Sequence, residues 1–165
     1  MIAALAVLVV VTMLAETARS TRNDRGLRAL GAVEPPGDVY RVMALAYPAA
    51  FVLMLMEGAR RGVPADGWFA AGVAVFVAAK ALKYWAIASL GPRWTFRVLV
   101  PPASSRVVDG PYRWLAHPNY LAVAGELAGI ALAMHARVTG PLAVAGFGVL
   151  MLRRIAVEEK ALARR

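Results

Sequence analysis

The sequence predicts an all-α integral membrane protein with about five transmembrane helices. Three observations lead there. Apolar residues make up 60% of the chain and mean hydropathy is +0.58, a balance that water-soluble domains of 165 residues do not carry. The apolar residues fall into runs close to the ~20 positions needed to cross a bilayer. Charge gathers between these runs and leaves their interiors mostly bare. A single domain, 1–165, accounts for the length.

Helix one is read over about 1–18. It is apolar as far as Leu14 and then meets Glu16. It lacks the basic start and small-residue cleavage site of a secretory signal, so it is kept as a helix. An Arg-rich loop follows, with Arg19, Arg22, Arg25 and Arg28, closed by Gly31 and the turn Glu34-Pro35-Pro36-Gly37. Helix two covers about 39–57, with Pro48 inside predicting a kink or local break. Helix three covers about 65–90. Lys80 and Lys83 stand in its last turns at i, i+3 and share a face. The stretch 91–117 is too polar to span, and an interfacial loop is expected, with a short extended piece at 96–100. Helix four covers 118–134, starting at Pro118, the favoured first helical position. Helix five covers about 141–162 and completes a C-terminal hairpin. Gly125 and Gly129 in helix four, and Gly146 and Gly148 in helix five, read as positions of close helix packing.

Net charge is +9. No Lys/Arg tract with interleaved aromatics stands outside the loops, so the basic residues orient helices and meet anionic lipid; nucleic acid is not indicated. Sixteen Lys and Arg fall in 19–41, 80–113 and 153–165, against three at Arg60, Arg61 and Arg137. Basic loops stay cytoplasmic, so the expected arrangement is a cell-membrane protein with its N-terminus outside and its C-terminus inside. The polar loop and the end of helix five then meet on the cytoplasmic side, where a cofactor pocket is expected.

The chemistry-bearing residues lie in two stretches. GPYRWLAHPNY, residues 110–120, sets Tyr112, His117, Asn119 and Tyr120 at the mouth of helix four. His117 either caps the helix or serves as anion donor or base. The free N–H groups of the helix start suit a carboxylate. RRIAVEEKAL, residues 153–162, brings charge back after the last apolar run. Arg154 and Glu158 share a face at i, i+4, as a solvated ion pair or as a site for an anion and a hydroxyl or ammonium. Glu159 and Lys160 read as solvated charges. Glu126, two turns inside helix four, needs a partner such as a Lys or Arg of a neighbouring helix, a proton or a cavity. Glu16 poses the same question, with Arg19 as one answer. No strand precedes Gly146-Phe147-Gly148, so a nucleotide loop is excluded there. Two histidines and no cysteine give no protein metal site, and no serine sits in a nucleophile elbow.

The box at 110–120, followed by RIAVEE at 154–159, resembles the isoprenylcysteine carboxyl methyltransferase family of integral membrane enzymes. The stretch LGPRWTFRVLV at 90–100, with Glu16, Arg22 and Asn23, is similar to a bacterial branch that methylates the hydroxyl of long-chain alkylpyrones or alkylresorcinols. The resemblance implies S-adenosyl-L-methionine as methyl donor, S-adenosyl-L-homocysteine as product, and a lipophilic or prenylated acceptor. Carried over by residue, Tyr112, His117, Pro118, Asn119, Tyr120 and Glu158 would bind the cofactor, with Ser104, Ser105, Arg106 and Val107 lining it from the loop. Arg154 and Glu158 would be catalytic, and Arg154 with Glu126 would hold the acceptor. Ala116 stands where the family usually has Arg, so that function passes to Arg113 or Arg97 or is missing. Transfer to the oxygen of a carboxylate, enol or phenol is the first reading, and a phenol needs a base, His117 or Glu126. Methylation of a lipid amine and a non-enzymatic assembly or transport subunit are the alternatives. The acceptor and the oligomeric state stay open.

Overall fold

The computed structural model describes residues 1–102 and 107–163. It contains five α-helices: α1 (Ile2–Ala29), α2 (Tyr40–Arg61), α3 (Gly67–Leu90), α4 (Pro118–Ala133) and α5 (Thr139–Ala163). The protein is an all-helical membrane protein; α1, α2, α3 and α5 are each long and apolar enough to cross a bilayer. The 16 residues of α4 extend about 24 Å, short of the ~30 Å hydrocarbon core. Leu127, Ile130 and Ala133 of α4 have no exposure, so this helix is an inner element wrapped by longer ones.

Close backbone approach seats α4 on α3. A Cβ added at Gly129 would lie 2.6 Å from the Phe76 amide nitrogen, and one at Gly125 would lie 2.9 Å from Ala79 Cβ. Gly72 meets Ala133 and Gly129 in the same way. Gly146 and Gly148 face open space, which corrects their reading as packing positions. The membrane depth shows on α3: exposed Trp68 and Trp85 are 17 residues apart, about 26 Å along the axis, the spacing of two interfacial aromatic belts.

The Arg-rich segment expected as a loop is the last third of α1. No breaker stands between Glu16 and Ala29 except Gly26, and the segment has polar work on its inner face. Asn23 Nδ2 donates to the carbonyls of Trp94 at 2.7 Å and Gly91 at 3.2 Å. Ser20 Oγ accepts from the Phe96 amide at 2.8 Å. The four arginines of this segment face outward. The helix ends at Ala29, and the chain turns away at Gly31, with φ of 81°. Pro48 does not interrupt α2, which continues through it.

The loop after α3 starts with a short 3₁₀ turn, Gly91–Arg93, and then lies across the ends of α1 and α2. Trp94 is buried in this roof. Among the described residues there is no strand; the extended piece expected at 96–100 is reduced to one antiparallel bridge between Val33 and Val100. A second 3₁₀ turn, Gly110–Arg113, leads into α4. At the opposite end of the bundle, Glu57 accepts from the amides of Val138 and Thr139, at 3.2 and 2.8 Å, and fixes the start of α5. Asp66 caps α3 by accepting from the Phe69 amide at 2.9 Å.

Candidate active site

A cavity of about 780 Å³ lies under the roof formed by residues 93–101, between α1, α2, α4 and α5. Its size is that of a site for a cofactor-sized ligand. The two chemistry-bearing stretches of the sequence meet in it. Tyr112, His117, Asn119 and Tyr120 line it from one side, and Arg154, Glu158 and Glu159 from the other.

Tyr120 is the hub. Its hydroxyl accepts from Arg154 Nε and donates to Glu158 Oε2, both at 2.9 Å. The helical spacing of Arg154 and Glu158, one turn apart, is what lets one phenol bridge them. His117, three residues before Tyr120, stacks near it with ring centroids 5.6 Å apart. Its Nε2 lies 3.3 Å from Glu159 Oε1, so Glu159 is part of the cavity wall and more than a solvated charge. Asn119 accepts from Trp94 Nε1 at 3.3 Å and joins the box to the roof. Tyr112 sits outside the spanning helices; burial, helped by the nearby Glu158 charge, raises its pKa and keeps it a neutral hydroxyl donor.

Arg154 is buried and heavily engaged. Besides Tyr120, its Nη1 lies 3.4 Å from Asp38 Oδ1 and 3.9 Å from Met43 Sδ, and its Nη2 donates to the Phe96 carbonyl. Asp38 also accepts from the amides of Tyr40 and Val98, each at 3.0 Å. Sequence reading missed Asp38. It lies in a loop that reads as a plain turn, and its partners that build the site, Val98 and Arg154, are 60 residues away and farther.

The remaining predicted residues fall elsewhere. Pro118 is buried at the start of α4 and does not line the cavity. Val107 lines it, while Ser104, Ser105 and Arg106 lie outside the described residues. Ala116 also lines it; of the two arginines offered in its place, Arg97 reaches the cavity and Arg113 stacks on its neighbour Trp114. Arg97 is held there by Glu34 at 3.0 Å and Asp24 at 3.4 Å and stacks on the Tyr40 ring.

Glu126 does not line the cavity. It belongs to a buried ion cluster beneath it. Lys80 Nζ lies 2.7 Å from Glu16 and 3.1 Å from Glu126; Lys83 Nζ lies 2.6 Å from Glu16 and 3.3 Å from Glu126. The Tyr47 hydroxyl donates to Glu126. Glu16 thus pairs with the two lysines of α3, and Lys80 and Lys83 are interior groups rather than loop charges. Without them the basic bias between the two sides is fourteen against three. Two acids and two bases inside otherwise apolar runs were a visible signal of mutual pairing, since each alone is costly at that depth.

This arrangement can hold a zwitterionic, polyhydroxylated cofactor. Carboxylates at Glu158 and Glu159 suit an ammonium or ribose hydroxyls, and Tyr112 and His117 offer donors to an anion. The chain is 32% identical over 155 residues to uncharacterized protein YpbQ of Bacillus subtilis, covering 94% of this chain and 92% of the relative. It is 24% identical over 144 residues to an uncharacterized protein of Haemophilus influenzae, covering 87% and 84%. No solved structure matches. The model of the isoprenylcysteine carboxyl methyltransferase family matches residues 72–164, which include α4, α5 and both site stretches. The chain belongs to the isoprenylcysteine carboxyl methyltransferase family.

Proposed function

We propose that the protein is an S-adenosylmethionine-dependent methyltransferase acting on an oxygen of a lipophilic acceptor in the membrane. The observation that carries this reading is the convergence of the box at 112–120 and the Arg154–Glu158 pair on one cavity, joined through the Tyr120 hydroxyl. A bound cofactor supplies an activated methyl group on a sulfonium. Glu158 and Glu159 take its cationic or hydroxyl groups, and His117 and Tyr112 its anionic end. Arg154 positions Tyr120 and the roof, and its charge orients an acceptor anion. The enclosing helices and the roof favour in-line displacement through positioning. Oxygen is favoured over amine because the inner cavity wall carries an ammonium, Lys83, that suits an oxyanion, with its counter-charge supplied by Glu16 at 2.6 Å. The fourteen-to-three bias supports a cytoplasmic cavity and an outside N-terminus.

Calorimetric binding of S-adenosylhomocysteine to the detergent-purified protein tests the reading. Saturable binding is expected. Glu158→Ala removes a charge-assisted bond, and affinity should fall by about tenfold to a hundredfold. His117→Ala should weaken binding by a similar factor. A folded wild type that binds none, and transfers no labelled methyl to lipid-soluble phenols or acids, overturns it.

A further inference from the structure

The cluster beneath the cavity is asymmetric. Glu16, Lys83 and Tyr47 line the cavity, and Lys80 and Glu126 do not. Its depth can be read along α2. The Arg154 guanidinium touches Met43, and Tyr47 is one turn further along the same face, about 6 Å deeper. The floor therefore lies across the cavity interior from the box that faces the cofactor's expected position. In an in-line displacement the nucleophile approaches from that far side.

We infer that Glu16 is the proton acceptor for a neutral hydroxyl on the acceptor, and that Lys83 holds the oxyanion that results. This rests on the methyl-transfer reading. The acceptor O–H bond breaks and its proton goes to a Glu16 carboxylate oxygen. The electron pair stays on oxygen and then forms the O–CH₃ bond, while the C–S pair leaves with sulfur. Glu16 gives up the proton to water that enters the cavity once the product has left. One Glu16 oxygen, Oε2, is buried, with a Lys83 contact at 2.6 Å but no directed hydrogen bond, so it keeps a lone pair for a donor that reaches the floor. Once Glu16 is protonated, Lys83 loses part of its counter-charge at the moment the oxyanion forms beside it. In a site of low dielectric that exchange of partners stabilises the ionised acceptor. The groups facing Glu16 are Lys80, Lys83 and Tyr84 of α3, with Glu126 of α4 and Tyr47 of α2 on the other side of the lysines. Of the two acids and two bases in the cluster, Glu16 and Lys83 are the pair that borders the cavity.

The test uses a nitrophenol with a long alkyl chain, which absorbs in the visible only when ionised, bound to the cofactor-free protein below the phenol's own pKa. Two charge-balanced double variants are compared, Glu16→Gln with Lys80→Met and Glu126→Gln with Lys80→Met. Each keeps one carboxylate, Lys83 and a net neutral cluster. The phenolate band is expected on the wild type and on the Glu126→Gln pair, and its intensity should fall at least tenfold on the Glu16→Gln pair. Equal bands on both pairs, or a neutral phenol on the wild type, would overturn the inference. S-adenosylhomocysteine binding by each variant shows that the cavity is folded. Should the Glu16→Gln pair fail that check, Glu16→Asp replaces it, and a band unchanged there with the carboxylate drawn back overturns the inference equally. An intact band with no S-adenosylhomocysteine binding by the wild type brings down the methyl-transfer reading and leaves the base in place.

Discussion

The mouth and the floor of the cavity solve the same problem in opposite ways. Both put charged side chains at the edge of an apolar bundle. At the mouth, Arg154, Tyr120 and Glu158 form a directed chain of hydrogen bonds, open on one side, with the Glu159 side chain 62% exposed. At the floor, two lysines and two glutamates are closed in at 9% side-chain exposure or less and are held by charge balance more than by directed bonds. Hydrated, directed groups recognise ligands and can be rearranged one at a time. Dry, balanced groups stand or fall together, because removing one strands another.

That difference is sharpest in stability. Lys83→Met leaves Glu16 and Glu126 sharing one lysine in the dry core. A loss of about 3–5 kcal/mol is expected, as for breaking other buried pairs. Thermal unfolding in detergent measures it. A variant as stable as the wild type would mean that the four helices α1 to α4 do not depend on the cluster. A smaller loss is expected when the seat of Glu126 is disturbed from behind. Gly129→Ala puts a methyl 2.6 Å from a backbone nitrogen of α3, which cannot give way as a flexible side chain can. About 1–3 kcal/mol is expected from that overpacking. Gly146→Ala, facing open space, should be neutral or slightly stabilising, and the contrast separates a packing glycine from one that is merely present.

Sequence reading reached the mouth and only half reached the floor, for a physical reason. Arg154 and Glu158 are one helical turn apart, and His117 and Tyr120 likewise, so local periodicity already puts each pair on one face. The two stretches also resemble a known family, which joined them. The ends of α2 to α5 follow from Gly, Pro and charge, and the structure keeps them within a few residues. The pairing of Glu16 with Lys80 spans 64 residues, and no periodicity connects α1 to α3. What was legible was only that charges at that depth need partners. The reach of α1 to Ala29 escapes sequence reading because closely spaced arginines read as a loop. In fact their outward stripe leaves Ser20 and Asn23 to hold the roof.

At the mouth, single changes should act on ligands more than on the fold. Tyr120→Phe cuts the link from Arg154 to Glu158 while keeping the ring beside His117. About 1 kcal/mol is expected, read as roughly fivefold weaker S-adenosylhomocysteine binding with little change in unfolding temperature. If unfolding moves as much as it does for Lys83→Met, the mouth is structural in the same sense as the floor and the contrast fails.

The rim of the mouth gives the smallest effect, and its sign is fixed. Glu34 accepts from Arg28 at 2.7 Å and from Arg97 at 3.0 Å. Burial opposes its ionisation, but the two arginines outweigh it and hold the carboxyl below its ordinary value of 4.5. A carboxyl whose folded pKa is depressed adds stability above its unfolded pKa and loses it as pH falls through the folded one. The pairs are partly hydrated, with side-chain exposures of 48% for Arg28 and 29% for Arg97, so screening keeps the contribution to about 0.2–1 kcal/mol. Glu34→Gln should therefore lower the unfolding temperature slightly at about pH 7, and the difference should close as pH falls through the depressed folded pKa and the wild-type carboxyl is protonated too. Added salt should shrink the effect at neutral pH, while the larger loss in Lys83→Met should resist salt, because ions do not enter the dry floor. Equal salt sensitivity in the two variants would show that water reaches Lys83, and the floor would then be a second mouth.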